Sequence, residues 1–262
     1  MKKLMSWLVL LLVSALLIVI YELHSNKLKS EFIQMGQKET EFIKIKSFSS
    51  DKKPKNIIFL VGDGAGLNQI SVARLALGGP DFKLAIDQMP YSGFSLTHSE
   101  DNIYTDSAAA ATTWATGIKT TNKFLAMNSK KKSFETIPEM IALKGFLSGL
   151  VATSSITHAT PAAFYAHVDS RYKEEEIARQ LIESPIYISF GGGTEFFDLD
   201  ALKSEFNFID NKEDLFRSDF TNSKKIIGLF DTDGIVRSSQ NPTQQEMTKK
   251  AINLLSSKTK SF

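Results

Sequence analysis

The chain has 262 residues, 42% of them hydrophobic and 23% charged, an ordinary globular composition with enough length to bury a sizeable core. A formal net charge of +2 leaves no electrostatic footprint for nucleic acid, and the lysine run Lys130–Lys132 reads as a solvated loop. The absence of cysteine excludes disulfides, thiolate catalysis, cysteine zinc sites and a lipidated N-terminal cysteine.

After Met1-Lys2-Lys3 comes an apolar run from Leu4 to Leu23, LMSWLVLLLVSALLIVIYEL, with no charge before Glu22. At ~1.5 Å per residue this run reaches about 30 Å, the hydrocarbon thickness of a bilayer. A cleaved signal peptide has a shorter apolar core, roughly 7–15 residues, and a small-residue cleavage site. This run instead ends in Tyr21-Glu22-Leu23-His24-Ser25. Residues 1–23 are therefore expected to be an uncleaved signal anchor in preference to a signal peptide. Lys2 and Lys3 would lie inside and the rest would be exported to the periplasm or cell surface. Residues 24–54, polar and lysine-rich, read as a tether, and 55–262 as one α/β domain.

Within that domain Asn56–Val61 (NIIFLV) is a continuous apolar run, the pattern of a strand buried on both faces. Leu67–Leu77 has helical spacing and stops at Gly78-Gly79. Thr105 and Asp106 open a helix that runs to Thr116 and Gly117. Gly149–Ser154 reads as a strand. Pro161 suits the first position of a helix capped by Thr160 and extending through His167. Glu174–Glu183 is a helix stopped by Pro185, and Pro185–Phe190 is a strand closing on Gly191-Gly192-Gly193. Thr243 and Glu246 form a capping box that opens a helix to about Ser256. This alternation predicts a doubly wound, mostly parallel sheet, in which ligands collect at the carboxyl ends of the strands.

Three loops at such ends carry chemistry. Val61-Gly62-Asp63-Gly64-Ala65-Gly66 sets a carboxylate between glycines, where a metal can approach closely; the alternative is a turn aspartate. It fails the dinucleotide pattern G-x-G-x-x-G at Leu67. TDSAAAATTWATG, Thr105–Gly117, puts Ser107 in the first turn of a helix, where free N–H groups and roughly half a positive charge would receive a phosphate. The alternative is a capping serine on an alanine-rich packed helix. The third stretch, Ile156–Arg171, sets His158 and Thr160 after a strand, and its Arg171 has a planar fork suited to two phosphate oxygens. Alternatively, Arg171 pairs with Asp106.

Together and in this order NIIFLVGDGAG, TDSAAAATTWATG and THATPAAFYAHVDSR resemble the motifs of the alkaline phosphatase family, metal-dependent phosphomonoesterases, over roughly Lys55–Phe262. The resemblance implies a phosphate monoester as substrate, two Zn2+ and one Mg2+ as cofactors, and a phosphoserine intermediate. By it Asp63 bridges a zinc and the magnesium, and Ser107 is the nucleophile and also contacts a zinc. His158 and Thr160 take magnesium-side positions, and Arg171 binds phosphate with Asp106 orienting it. Zinc lowers the pKa of bound water to about 7, and an alcohol would respond similarly. A membrane contact through the N-terminal helix is expected, nucleic acid is not, and a homodimer stays open.

Two departures from the family pattern stand out. Tyr104 replaces a small branched aliphatic residue, with little consequence expected. In the family most zinc ligands and the magnesium glutamate follow a strand that would begin after Lys260-Ser261-Phe262. A truncated sheet and an incomplete ligand set are therefore expected, with His24 and His98 in no matched position and His167 inside the helical stretch. The leading reading is a phosphatase with little or no activity as this chain. The alternative is a non-catalytic, membrane-tethered remnant or interaction module, and a nucleotide-binding domain is a third reading.

Overall fold

The computed structural model describes residues 13–24, 26–27, 54–220, 224–258 and 262. The chain forms two compact units, Met1–Lys52 with Val61–Phe94, and Lys53–Leu60 with Ser95–Phe262.

In the first unit residues 13–24 form helix α1. The expected apolar segment begins at Leu4, so residues 4–12 lie outside the described residues, as does nearly all of the expected tether. No helix among the described residues is long and apolar enough to cross a membrane. Helix α2, Leu67–Gly78, follows the predicted spacing. Its end is set by Gly79, whose φ of 91° suits a residue without a Cβ. Beyond it a short 3-10 turn, Ala85–Gln88, is pinned to α2 by the Arg74–Asp87 ion pair at 2.7 Å. The other Asp87 oxygen accepts from Leu84 N, 2.8 Å away.

The second unit holds a four-stranded, all-parallel sheet. Its strands are β1 (Ser148–Ser155), β2 (Ile186–Gly192), β3 (Asn207–Ile209) and β4 (Ile226–Leu229), in the order β1-β2-β4-β3. Helices α3 (Ser107–Thr116), α4 (Ile137–Ala142) and α5 (Ala159–Ala162) come from the first half of the unit. The others are α6 (Glu174–Glu183), α7 (Leu199–Glu205), α8 (Lys212–Arg217) and α9 (Gln244–Lys258).

The sheet is covered on both faces, as doubly wound topology requires. One apolar cluster joins Ile186, Ile227 and Leu229 to Ile177 and Leu181 of α6 and Leu202 of α7. The other joins Ile188, Phe190 and Ile226 to Leu215 of α8 and Met247, Ala251, Leu254 and Leu255 of α9. Within β4 the alternation is direct: Ile226 faces one cluster, Ile227 and Leu229 the other. The capping box that opens α9 is formed, with Thr243 N donating to Glu246 Oε2 at 2.8 Å and Glu246 N to Thr243 Oγ1 at 3.2 Å.

Two predicted elements differ. Asn56–Val61 forms no strand; residues 56–60 run as irregular backbone, with Ile57, Ile58, Phe59 and Leu60 each more than half exposed. A strand needs a ladder of hydrogen bonds from a neighbour, and the bond shown here is Ile57 N to Phe262 O at 2.9 Å. Its anchor is aromatic instead: the Phe59 ring meets Trp114 edge-on at 5.8 Å and Phe164 at 6.2 Å. The second difference is at the third motif. Helix α5 starts at Ala159 with His158 as N-cap, so Thr160 lies inside the helix and does not cap it. Pro161 falls in the first turn, where its missing N–H costs nothing. The helix ends at Ala162, leaving His167 in irregular chain.

The last glycine of β2 permits a close crossing. A Cβ on Gly192 would lie 1.7 Å from the backbone oxygen of Asp233. We expect Gly192→Ala to destabilise the chain by about 3 kcal/mol through forced backbone displacement. Urea unfolding would show this as a lower midpoint with unchanged slope; an unchanged midpoint would mean that the Asp233 loop yields freely.

Candidate active site

The site is organised by Asp106. It is the N-cap of α3, in extended conformation, and its Oδ1 accepts from Ala109 N at 2.9 Å. The carboxylate satisfies one of the donors that every helix N-terminus leaves unpaired, and its charge complements the helix dipole. Its second oxygen accepts from two distant segments, Lys123 N at 3.0 Å and Arg171 Nη1 at 3.4 Å. Asp106 N donates to Asn122 Oδ1 at 2.9 Å, and Asn122 Nδ2 to Tyr104 O at 2.9 Å. Tyr104 meets Asn122 through its backbone carbonyl, and its side chain is exposed.

Ser107 is the first residue of α3 and half-buried. The alanines after it do more than clear space. Ala108, Ala109 and Ala111 are buried, and α3 packs on α5. Ala108 and Ala111 share a core with Ala159, Ala162, Ala163 and Ala166. Two helices meeting through methyl groups approach closely, which brings the loop of His158 alongside α3. The alanine-rich packing of the alternative reading is thus present, although Asp106 and not Ser107 caps the helix, and that packing brings the two loops together.

Arg171 has only 14% of its side chain exposed and is held three ways. Nη1 lies on Asp106, the backbone N donates to Lys123 O at 2.8 Å, and Nη2 donates to His158 Nε2 at 3.0 Å. Because a guanidinium has no lone pair to offer, the His158 Nε2 must accept, which places the ring proton on Nδ1. Arg171 thus touches both Asp106 and His158, with Ser107 next to Asp106 and Thr160 two residues beyond His158. Asp63 belongs to the other unit. There it lies exposed in the Gly62–Ala65 turn, closed by Ala65 N to Gly62 O at 3.0 Å, with Gly64 at φ 67°.

Two supporting networks had no signal in the sequence. His167 Nε2 meets Glu139 Oε1 at 2.9 Å, and its Nδ1 meets Ala126 O at 3.1 Å, tying the segment before Arg171 to α4. Burial pushes the Glu139 carboxyl up, but the Thr136 N–H, the His167 ring and the Thr136 hydroxyl outweigh it and hold the group below the usual carboxylate value. At the end of β1 the buried Thr157 hydroxyl donates to Glu174 Oε2 at 2.6 Å, and Ser155 Oγ reaches the same oxygen at 3.3 Å. Nearby, burial and then the Glu174 charge push the Tyr165 hydroxyl well up, keeping it a donor to Ile156 O at 2.9 Å. Glu174 had been legible only as the start of α6.

Among the described residues no three His, Cys, Asp or Glu side chains gather as metal ligands. A catalytic zinc takes three protein ligands and an open position. One imidazole and two hydroxyls in the second unit, with one carboxylate in the first, do not make two such sites. The donors present among the described residues fall short of the implied metals.

A family model described as alkaline phosphatase matches residues 54–262. Alkaline phosphatase 4 of Bacillus subtilis (strain 168) is 31% identical over 231 residues, 79% of this chain and 50% of the relative. Alkaline phosphatase of Escherichia coli (strain K12) is 36% identical over 183 residues, 60% of this chain and 39% of the relative. The structure of an alkaline phosphatase from the Antarctic bacterium TAB5 matches with a TM-score of 0.68 and 34% identity, covering 80% of this chain and 63% of that one. A mutant of that enzyme, His 135 Asp, has Mg bound in its M3 site. The chain spans about half the length of the curated relatives it matches.

The Glu139 pair gives a pH dependence with a definite sign. A carboxyl held below its unfolded value contributes stability above the ordinary value, about 4.3, and loses it as pH falls through the folded one. Glu139→Gln should therefore lower the urea midpoint at neutral pH and flatten its decline in acid; a decline as steep as in the native chain would contradict this.

Proposed function

The chain belongs to the alkaline phosphatase family, and on that premise we propose that it acts on phosphate monoesters through phosphorylation of Ser107. The observation that carries the reading is the Asp106 carboxylate, which caps the helix beginning at Ser107 and also holds the Arg171 guanidinium, at 3.4 Å. Nucleophile and phosphate grip are thus registered by one group.

In this reading the N-terminal N–H groups of α3 and the remaining donors of Arg171 hold the non-bridging oxygens, where charge must be balanced in the transition state. Ser107 Oγ attacks phosphorus and loses its proton. The bond from phosphorus to the ester oxygen breaks, and the alcohol leaves with that electron pair and takes up a proton. Water then attacks the phosphoserine, restoring Ser107 and releasing inorganic phosphate. Arg171 serves both steps, since each passes through the same oxygens.

Divalent metals, when bound, would activate the attacking oxygen and stabilise the leaving one. Asp63, Ser107, His158 and Thr160 are the residues assigned to them, on the strength of the motifs that carry them. Because these donors are too few, the chain by itself is expected to hydrolyse little. A second reading, a phosphate-binding module without turnover, rests on that same shortfall. Export and tethering through residues 4–23 are inferred from the apolar run and its flanking Lys2 and Lys3.

Calorimetry with inorganic phosphate tests the grip. Arg171→Ala should weaken binding about tenfold or more, the loss of charge-assisted hydrogen bonds of roughly 1.5–3 kcal/mol. Unchanged affinity would remove Arg171 from the site. For the nucleophile, incubation with a phosphate monoester, Zn2+ and Mg2+ followed by peptide mass spectrometry should find phosphoserine at 107 and none in Ser107→Ala. A phosphorylated species persisting in that variant overturns the assignment, and brisk zinc-dependent phosphate release by the native chain overturns the expected inactivity.

A further inference from the structure

Among the described residues Lys123, Ala126 and Lys131 are the non-glycine residues with left-handed φ, at 75°, 44° and 60°. Lys123 differs from the other two in being clamped to the site at both backbone groups. Its N–H donates to Asp106 Oδ2, and its C=O accepts from Arg171 N. A left-handed conformation costs a side-chain-bearing residue roughly 1–2 kcal/mol that glycine does not incur. Glycine would make both backbone bonds equally well, so the clamp does not account for lysine at this position; the side chain must.

That side chain is exposed, and its Nζ lies 6.0 Å from the centre of the Tyr172 ring. Tyr172 directly follows Arg171 and is 73% exposed. The Lys123 ammonium pairs with no carboxylate among the described residues, and the nearby Asp106 carboxylate is already engaged by Ala109 N, Lys123 N and Arg171. A cation over an exposed aromatic ring is held by only about 0.5–1 kcal/mol. The ammonium therefore lies over the ring of the residue that follows Arg171, with no carboxylate partner among the described residues. A compact charge on a flexible four-carbon stem is a common phosphate ligand, acting as a point charge where arginine acts as a fork.

We propose that Lys123, steadied by Tyr172, forms an accessory anion subsite next to Arg171 that takes the second phosphate of a diphosphate ligand. The inference rests on the reading of Arg171 as the holder of the first phosphate. It makes the site selective for substrates whose leaving group itself ends in phosphate, a narrower class than monoesters at large.

The test is calorimetry of the purified chain with inorganic phosphate and with inorganic pyrophosphate, using native protein, Lys123→Gly and Lys123→Asn. Glycine keeps the left-handed backbone and relieves its strain, and asparagine tolerates it without a charge, so neither variant should unfold more easily. Both should weaken pyrophosphate binding about tenfold, the loss of one charge-assisted contact, while orthophosphate affinity stays within about twofold. Raising salt should narrow the gap between native protein and variants. Pyrophosphate affinity unchanged in both variants overturns the subsite, as does an equal loss for the two anions, which would mark Lys123 as a general attractor. If the native chain binds no orthophosphate, the Arg171 reading itself fails and this inference with it; if it binds orthophosphate and gains nothing from the second phosphate, only the subsite falls.

Discussion

One carboxylate ties this site together. Asp106 receives hydrogen bonds from its own helix, from the backbone at 123 and from the side chain of Arg171. A carboxylate at a helix N-terminus complements the helix dipole, and here it also faces a guanidinium. The same group therefore fixes where α3 begins, how the 122–123 loop crosses it and where Arg171 points. Three stretches of the chain share a single acceptor, and each loses its reference point if that acceptor is removed.

The sheet supplies what Asp106 cannot. Parallel strands deliver their following loops to one edge, and β1 does so for Ser155, Thr157 and His158. Buried hydroxyls there are satisfied by Glu174, which joins the start of α6 to the end of β1. Alanine-lined packing of α5 on α3 then sets His158 within reach of Arg171. Arg171 rests on His158 and Asp106 together, so its position depends on both the helix pair and the strand end. The tie from His167 to Glu139 holds the same segment from its other side.

Much of the frame was legible because it is local. The Glu174–Glu183 helix ends where Pro185 forbids continuation, α9 opens on the box of Thr243 and Glu246, and β1 and β2 follow their apolar runs to within two residues. Those signals are contained in a few consecutive side chains. Asn56–Val61 was misread for the complementary reason: an apolar run states that a segment avoids water but not which neighbour would pair with it. His158 displaced Thr160 as the cap because the loop after β1 sets the entry angle of α5, a property of the strand end and not of the cap residue.

By itself the amino-acid sequence determined α3, α6, α9, β1 and β2, the alanine-rich start of α3 and the three motifs that place this chain in its family. Each of these follows from the chemistry of neighbouring residues, which is written in order along the chain. Only the tertiary structure decided that Asp106, Lys123, His158 and Arg171 meet, that His167 belongs to Glu139, and that a lysine occupies a backbone conformation better suited to glycine. Those facts depend on which residues distant in sequence share an acceptor, and such choices are made by packing after the local elements exist.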